Sequence, residues 1–111
     1  MADFVIRRWD LAHYPGDQAP IHVHHASDEA FCVLRGRLEV LVGDERRIIG
    51  PGEHITVEAG TAHTFATPDP DGADVLVVMT PEVDELVTRL HTPMSDGERA
   101  ALWERCRSSL R

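Results

Sequence analysis

Much of the chain alternates apolar and polar positions with the period of two that is typical of β-strands. Short turn segments separate these stretches, and the clearest are Gly43-Asp44, Gly50-Pro51-Gly52 and the proline-rich run 68–72. Eight strands are predicted, at residues 4–9, 21–25, 29–35, 37–42, 45–49, 54–58, 62–67 and 74–79. Many short strands with closely spaced turns predict an all-β jelly roll or small β-barrel.

The pattern changes after residue 79, where apolar residues recur with helical spacing. Thr80-Pro81 predicts an N-cap followed by proline at the first helical position, and this helix is expected to end near Leu90. Ser95 and Glu98 match the capping-box pattern at the start of a second helix. That helix is expected to carry one apolar face, formed by Ala101, Leu102, Trp103, Cys106 and Leu110. Two roles remain open for the pair: a lid or subunit interface, or a simple cap on an open barrel end.

The length predicts one domain, 1–111, with a barrel at about 1–80 and a helical C-terminal segment at about 81–111. The net charge is −8 and basic residues form only short clusters, which argues against nucleic-acid binding. Neither a signal-peptide pattern nor an apolar run of about 20 residues is present, so we expect a cytoplasmic protein without a membrane partner. Cys32 and Cys106 are predicted to be free thiols rather than a disulfide.

Four residues form the candidate chemistry. On a strand, His22 and His24 point to one face while His25 points to the other. Glu29 begins the next strand, and His63 lies on a later one. An isolated His-x-His pair is a weak signal in a chain with 7 histidines. The added carboxylate and third histidine make a metal site the better interpretation, provided the strand faces converge.

The glycines around these residues, together with the candidate ligands, match two known sequence motifs. Gly16, His22, His24, Glu29 and Gly36 meet the motif Gly-x5-His-x-His-x3–4-Glu-x6-Gly. A second motif, Gly-x5-Pro-x-Gly-x2-His-x3-Asn, is met by Gly52, Gly60 and His63. Glu58 and Thr67 stand where that second motif has proline and asparagine, and neither departure removes a ligand. Over about residues 16–67 the sequence therefore resembles the cupin superfamily, and in particular its small, single-domain, quercetinase-like members.

The resemblance implies a jelly-roll β-barrel that binds one divalent transition metal ion through His22, His24, Glu29 and His63. Fe, Mn, Ni, Cu and Zn all suit these ligands. Glu29 is also a candidate acid or base. Phe31, Val33, Phe65 and Met79 are expected to form the apolar wall of a substrate pocket.

A metal-dependent dioxygenase acting on a small molecule is the function expected first. The alternatives are a non-redox isomerase or polyketide-type cyclase, and a non-catalytic binding or sensing module; an inert storage barrel is disfavoured. A homodimer is expected, as is common in small cupins. The remaining histidines are weaker candidates. His13, His25 and His91 are predicted to be solvated or to pack against other side chains. His54 is predicted to contact the metal ligands at most, without binding the metal itself. Tyr14 is predicted to pack on the barrel rim.

Overall fold

Nine strands and two helices make up the computed structural model, which describes residues 3–111. All eight predicted strands are present, with ends displaced by at most two residues. Their bounds are β1 Val5–Leu11, β2 His22–His24, β3 Glu29–Gly36, β4 Leu38–Val42, β5 Glu45–Ile49, β6 His54–Val57, β7 His63–Ala66 and β8 Ala73–Met79. The two helices are α1 Pro81–Leu90 and α2 Asp96–Arg105, and β9 is Ser108–Leu110.

The strands form two antiparallel sheets. One sheet has four strands in the order β1-β8-β3-β6, and the other has five in the order β5-β4-β7-β2-β9. Apart from the β4-β5 hairpin, sequential strands thus alternate between the two sheets, which is jelly-roll connectivity. The jelly roll is confirmed, whereas the closed barrel is not, because the strands form two sheets rather than one continuous ring.

The hydrophobic core is built from the inward-facing residues of both sheets. Phe31 and Val33 on β3 alternate with more exposed neighbours, as expected for strands with one buried face. Val40 on β4 and Phe65 on β7 belong to the same buried cluster. Because both inner faces are apolar, burying them against each other is the main stabilisation of the fold.

A glycine of the first motif allows close contact between two segments. Gly36 ends β3 with φ of +77°, and a Cβ atom there would clash with the carbonyl oxygen of Gly72. Only glycine satisfies both the left-handed backbone and the close approach. This position therefore explains the motif glycine by backbone packing rather than by chemistry at the site.

Both helices begin where predicted. The Thr80 hydroxyl accepts a hydrogen bond from the Val83 amide at 3.2 Å. Ser95 and Glu98 form the complete capping box, with bonds of 3.2 and 3.1 Å. A second apolar cluster of Leu86, Leu102 and Cys106 packs the two helices together.

The C-terminus differs from the prediction. The second helix ends at Arg105, and Leu110 lies on the short strand β9 rather than on a helical face. Arg107 reverses the chain with φ of 49°, and β9 then pairs with β2, placing Ser108 opposite His24. The segment 81–111 is therefore not wholly helical. Pairing is favoured because the free edge of β2 would otherwise leave backbone groups without hydrogen-bond partners.

Cys32 and Cys106 are both free thiols, as predicted. Among residues 3–111, neither helix combines the length and apolar character needed to cross a membrane.

Candidate metal centre

His22, His24, Glu29 and His63 meet in one cluster, although 41 positions separate the first from the last in the sequence. Each offers a ligand atom, and these atoms all lie within 4.8 Å of one another. The imidazole centroids are 4.3 to 5.0 Å apart. His25 lies outside this cluster: its Nε2 atom contacts the Ser109 hydroxyl at 2.7 Å near the surface.

Both sheets contribute to the cluster. The three histidines come from β2 and β7 of the five-stranded sheet, where His22 and His63 are directly opposite each other. Glu29 comes from the first position of β3 in the four-stranded sheet. Its Oε1 atom lies 3.0 Å from Nε2 of His63 and 3.7 Å from Nε2 of His24. The site therefore exists only when the two sheets face each other.

Hydrogen bonds fix which nitrogen of each histidine faces the cluster. Nδ1 of His22 lies 2.7 Å from the carbonyl oxygen of Pro20, and Nδ1 of His63 lies 2.9 Å from that of Thr61. A carbonyl only accepts, so each Nδ1 must carry the proton. The neutral ring then has its lone pair on Nε2, which is the nitrogen turned toward the other ligands.

His24 reaches the same tautomer through a hydroxyl. Its Nδ1 atom lies 2.7 Å from Oγ of Ser108, and that hydroxyl donates to the carbonyl oxygen of Cys106 at 3.2 Å. Because the Ser108 proton is directed to the carbonyl, its oxygen accepts from Nδ1–H of His24. The strand β9, absent from the sequence prediction, thus orients a central histidine.

Burial favours the neutral form of the His22 and His24 imidazoles. Removal from water, reinforced by repulsion from the neighbouring histidines, lowers the pKa of His24 to about 3. The pKa of His22 is also lowered, mainly by burial, although the hydrogen bond to Pro20 opposes this. A neutral imidazole is the form that binds a metal ion.

The residues fit a metal ion on grounds internal to this structure. Nε2 of His24 is buried and has no hydrogen-bond partner among the described residues. In addition, when the neutral His63 ring donates from Nδ1 to Thr61, its Nε2 lone pair faces the Glu29 carboxylate, and two acceptors then lie 3.0 Å apart. A cation between them satisfies both acceptors and the orphaned nitrogen. Three imidazoles and one carboxylate suit a divalent transition metal but do not select among Fe, Mn, Ni, Cu and Zn.

A cavity of about 870 Å³ opens beside the cluster and includes His22, His24 and Glu29 in its lining. Its apolar wall comes from both sheets and both helices, through Trp9, Leu11, Phe65, Met79, Leu86 and Trp103. The centroid of the Trp103 ring lies 6.2 Å from that of the His22 ring, and the Trp9 and Phe65 ring centroids are 5.9 Å apart. Aromatic walls of this kind suit a flat, partly apolar small molecule.

The predicted pocket residues divide into two groups. Phe65 and Met79 lie in the cavity lining. Phe31 and Val33 do not: both are 1% exposed and pack within the core. The inward face of β3 is covered by the opposite sheet at these positions, so alternation correctly predicted their burial but not their access to a ligand.

The two tryptophans of the cavity wall are not expected there from the sequence. Trp9 was assigned only to a strand and Trp103 only to an apolar helix face, and no spacing signal distinguishes a cavity wall from a core. His91 lines the cavity as well as being exposed, whereas His54 lies exposed on β6, outside the metal cluster. Tyr14 is 55% exposed and is absent from the lining of this cavity.

The fold and the ligand set together define a small jelly-roll protein with a three-histidine, one-glutamate cluster. The family model described as "Cupin domain" matches residues 12–79, which is more than half of the chain. The protein therefore belongs to the cupin domain family.

Among curated proteins, the chain is similar to quercetin 2,3-dioxygenase of Bacillus subtilis (strain 168). The two are 38% identical over 50 residues, which is 45% of this chain and 15% of that enzyme. The match therefore spans only a small part of the longer relative's length.

Two solved structures show the same fold. A protein with a double-stranded β-helix domain from Klebsiella pneumoniae gives a TM-score of 0.61 at 22% identity, covering 73% of this chain and 66% of that one. The Cnp3 cupin domain of Schizosaccharomyces pombe gives 0.63 at 15% identity, covering 78% and 58%. At these identities the likeness concerns the fold alone.

Proposed function

We propose that the protein is a metal-dependent oxidoreductase of the dioxygenase type that acts on a small aromatic molecule. The observation that carries the proposal is the convergence of three Nε2 lone pairs and the Glu29 carboxylate beside a cavity with aromatic walls. The similarity to part of a quercetin dioxygenase supports the choice of reaction class. The ion would be held by His22, His24, Glu29 and His63, and when bound it supplies Lewis-acid and redox chemistry.

The residues of the chain have separate tasks in this proposal. The hydrogen bonds of Pro20, Thr61 and Ser108 hold the three imidazoles in the ligating tautomer. Glu29 has a second task as the group that takes a proton from a substrate hydroxyl, because it is the only carboxylate of the buried cluster. Trp103 and Phe65 orient a planar ring, and the apolar cavity wall limits competing water.

Oxygen uptake tests the proposal directly. Protein loaded separately with Fe, Mn, Ni, Cu and Zn is mixed with quercetin or a simpler flavonol in an oxygen-electrode cell. We expect uptake in at least one redox-active form, none with zinc, and loss of that uptake in Glu29→Gln. Glu58→Gln is the matched control, because Glu58 is an exposed glutamate outside the cluster.

The absence of uptake in all four redox-active forms, with metal content verified, would refute the dioxygenase assignment. A result in which Glu29→Gln and Glu58→Gln lose activity equally would refute the role of Glu29.

One observation favours a second function, that of an isomerase or cyclase without redox chemistry. A buried carboxylate beside a cation site is also suited to removing a proton next to a ketone. With the zinc-loaded protein, this function predicts exchange of the α-proton of a 1,3-dicarbonyl compound with deuterated solvent, followed by NMR. Exchange that Glu29→Gln abolishes, without oxygen uptake in any form, would replace the first proposal.

A further inference from the structure

Arg99 is a half-buried cation on the wall of the cavity that holds the candidate metal centre. It lies in the first half of α2, and Trp103 follows it by four residues on the same helical face. Both residues line the cavity. The cavity lining thus includes an arginine as well as three of the four candidate ligands, His22, His24 and Glu29.

The other arginines of this cavity are already paired. Arg7 makes two hydrogen bonds of 3.0 Å to the Asp84 carboxylate, and Arg8 lies 3.0 Å from Asp74. Among residues 3–111, in contrast, no carboxylate oxygen lies within 4.0 Å of the Arg99 guanidinium. The neighbouring carboxylate of Glu98 is engaged in the capping box, where it accepts from the Ser95 amide at 3.2 Å.

The direction of α2 sets the distance between the arginine and the metal centre. Its C-terminal end leads into β9, where Ser108 contacts His24, so the N-terminal half extends away from the ligands. Trp103 is 6.2 Å from His22 between ring centroids. Four residues of helix place the backbone of Arg99 about 6 Å from that of Trp103 along the axis of α2, on the side away from β9.

We propose that Arg99 binds an anionic group of the substrate, a carboxylate or a phosphate monoester, at the part of the cavity wall that α2 forms. The substrate class is therefore an aromatic compound with a reactive oxygen directed to the metal centre and an anionic substituent directed to α2. An anchor of this kind is needed because the net charge of −8 repels anions in general. The planar guanidinium offers two parallel donors to either group. This inference rests on the proposed function in one respect only: both assume a metal ion bound at the four candidate ligands.

Binding to the zinc-loaded protein tests the proposal without any oxygen chemistry. The probes for isothermal titration calorimetry are 6-hydroxy-2-naphthoate, its neutral methyl ester, and 2-naphthyl phosphate. The ester keeps the ring and the hydroxyl but loses the charge. We expect an anionic probe to bind roughly tenfold or more tightly than the ester, and Arg99→Gln to remove this preference while changing ester affinity less than about twofold.

Controls separate the anchor from a general effect on α2. Arg105→Gln, on the same helix but paired with Glu85 at 2.7 Å and outside the cavity lining, should leave all affinities unchanged. Arg99→Lys should restore part of the preference. Dependence on Arg99 for the carboxylate probe alone, or for the phosphate probe alone, identifies which anion the site takes.

Equal binding of acid and ester, equal loss for all probes in Arg99→Gln, or no binding of any probe would overturn the proposal. If no oxygen uptake is observed but the preference for anionic probes still depends on Arg99, the dioxygenase assignment alone is refuted. If oxygen uptake is observed but probe binding does not depend on Arg99, the role of Arg99 in anion binding alone is refuted.

Discussion

The hydroxyl of Ser108 controls the tautomer of a candidate ligand, and its removal gives the sharpest prediction. In Ser108→Ala the Nδ1–H group of His24 loses its acceptor at 2.7 Å. His24 and Ser108 are 2% and 5% exposed, so water does not readily replace the hydroxyl. Leaving a buried donor unpaired costs about 1–3 kcal/mol of unfolding free energy. The ring can also move its proton to Nε2, which removes the lone pair that a metal ion requires.

Two measurements follow from this reasoning. Competition with a chromophoric chelator should show zinc affinity lowered by about 10- to 100-fold in Ser108→Ala, the usual effect of losing a partner that orients a ligand. Urea unfolding of the metal-free protein should show the loss of about 1–3 kcal/mol. Ser108→Thr retains the hydroxyl and should restore most of both properties.

The adjacent serine supplies the control. The Ser109 hydroxyl likewise contacts an imidazole, Nε2 of His25 at 2.7 Å, but near the surface and outside the cluster. Ser109→Ala should therefore leave zinc affinity unchanged and alter stability by less than about 0.5 kcal/mol. Unchanged zinc affinity in Ser108→Ala, or an equal loss in both variants, would refute the assignment of Ser108 as an orienting residue.

Three further predictions concern the ligands, the pH dependence and the assembly. His63→Ala should reduce the metal content measured by mass spectrometry from about one ion per chain to near zero, whereas His54→Ala should not; unchanged content in His63→Ala would eliminate the site. In the folded, chelator-treated protein the pKa of His24 is about 3, whereas in the unfolded chain it has its ordinary value of 6.5. Between pH 3 and pH 6.5 the unfolded state therefore binds more protons at His24 than the folded state does. Stability should then fall as pH drops below about 6.5, by about 2 kcal/mol at pH 5, and chemical unfolding of His24→Gln should show a smaller fall. Light scattering should give twice the mass of one chain, as expected for a homodimer, and a mass near that of one chain would contradict this.

Local signals were sufficient to predict most of the secondary structure. Alternating positions gave the eight strands before α1, because each strand buries one face against the opposite sheet. Thr80 and Ser95 gave the starts of both helices, because capping depends on residues only three positions apart. Signals of this kind act over a few residues and need no knowledge of the rest of the fold.

The end of the chain shows where such signals fail. Cys106 and Leu110 fit helical spacing as well as any pair, but the free edge of β2 recruits Ser108–Leu110 as a strand. The outcome depends on a hydrogen-bonding edge formed more than 80 residues earlier, so no local pattern contains it. The same pairing supplies the Ser108 hydroxyl to His24, which is why the orienting partner was missed.

The residues of the candidate site were determined by the sequence alone. Alternation placed His22 and His24 on one face and His25 on the other, and the motif spacing added Glu29 and His63. Only the tertiary structure decided how the site is held and what it faces. Two sheets from distant parts of the chain must pack before Glu29 lies 3.0 Å from His63. The cavity wall then depends on which apolar residues remain uncovered, which is why Trp103 lines it and Phe31 does not. The spacing of residues in the sequence thus identifies the candidate metal-binding side chains. Their orientation and burial, and the access of a small molecule to them, depend on contacts between segments far apart in the chain.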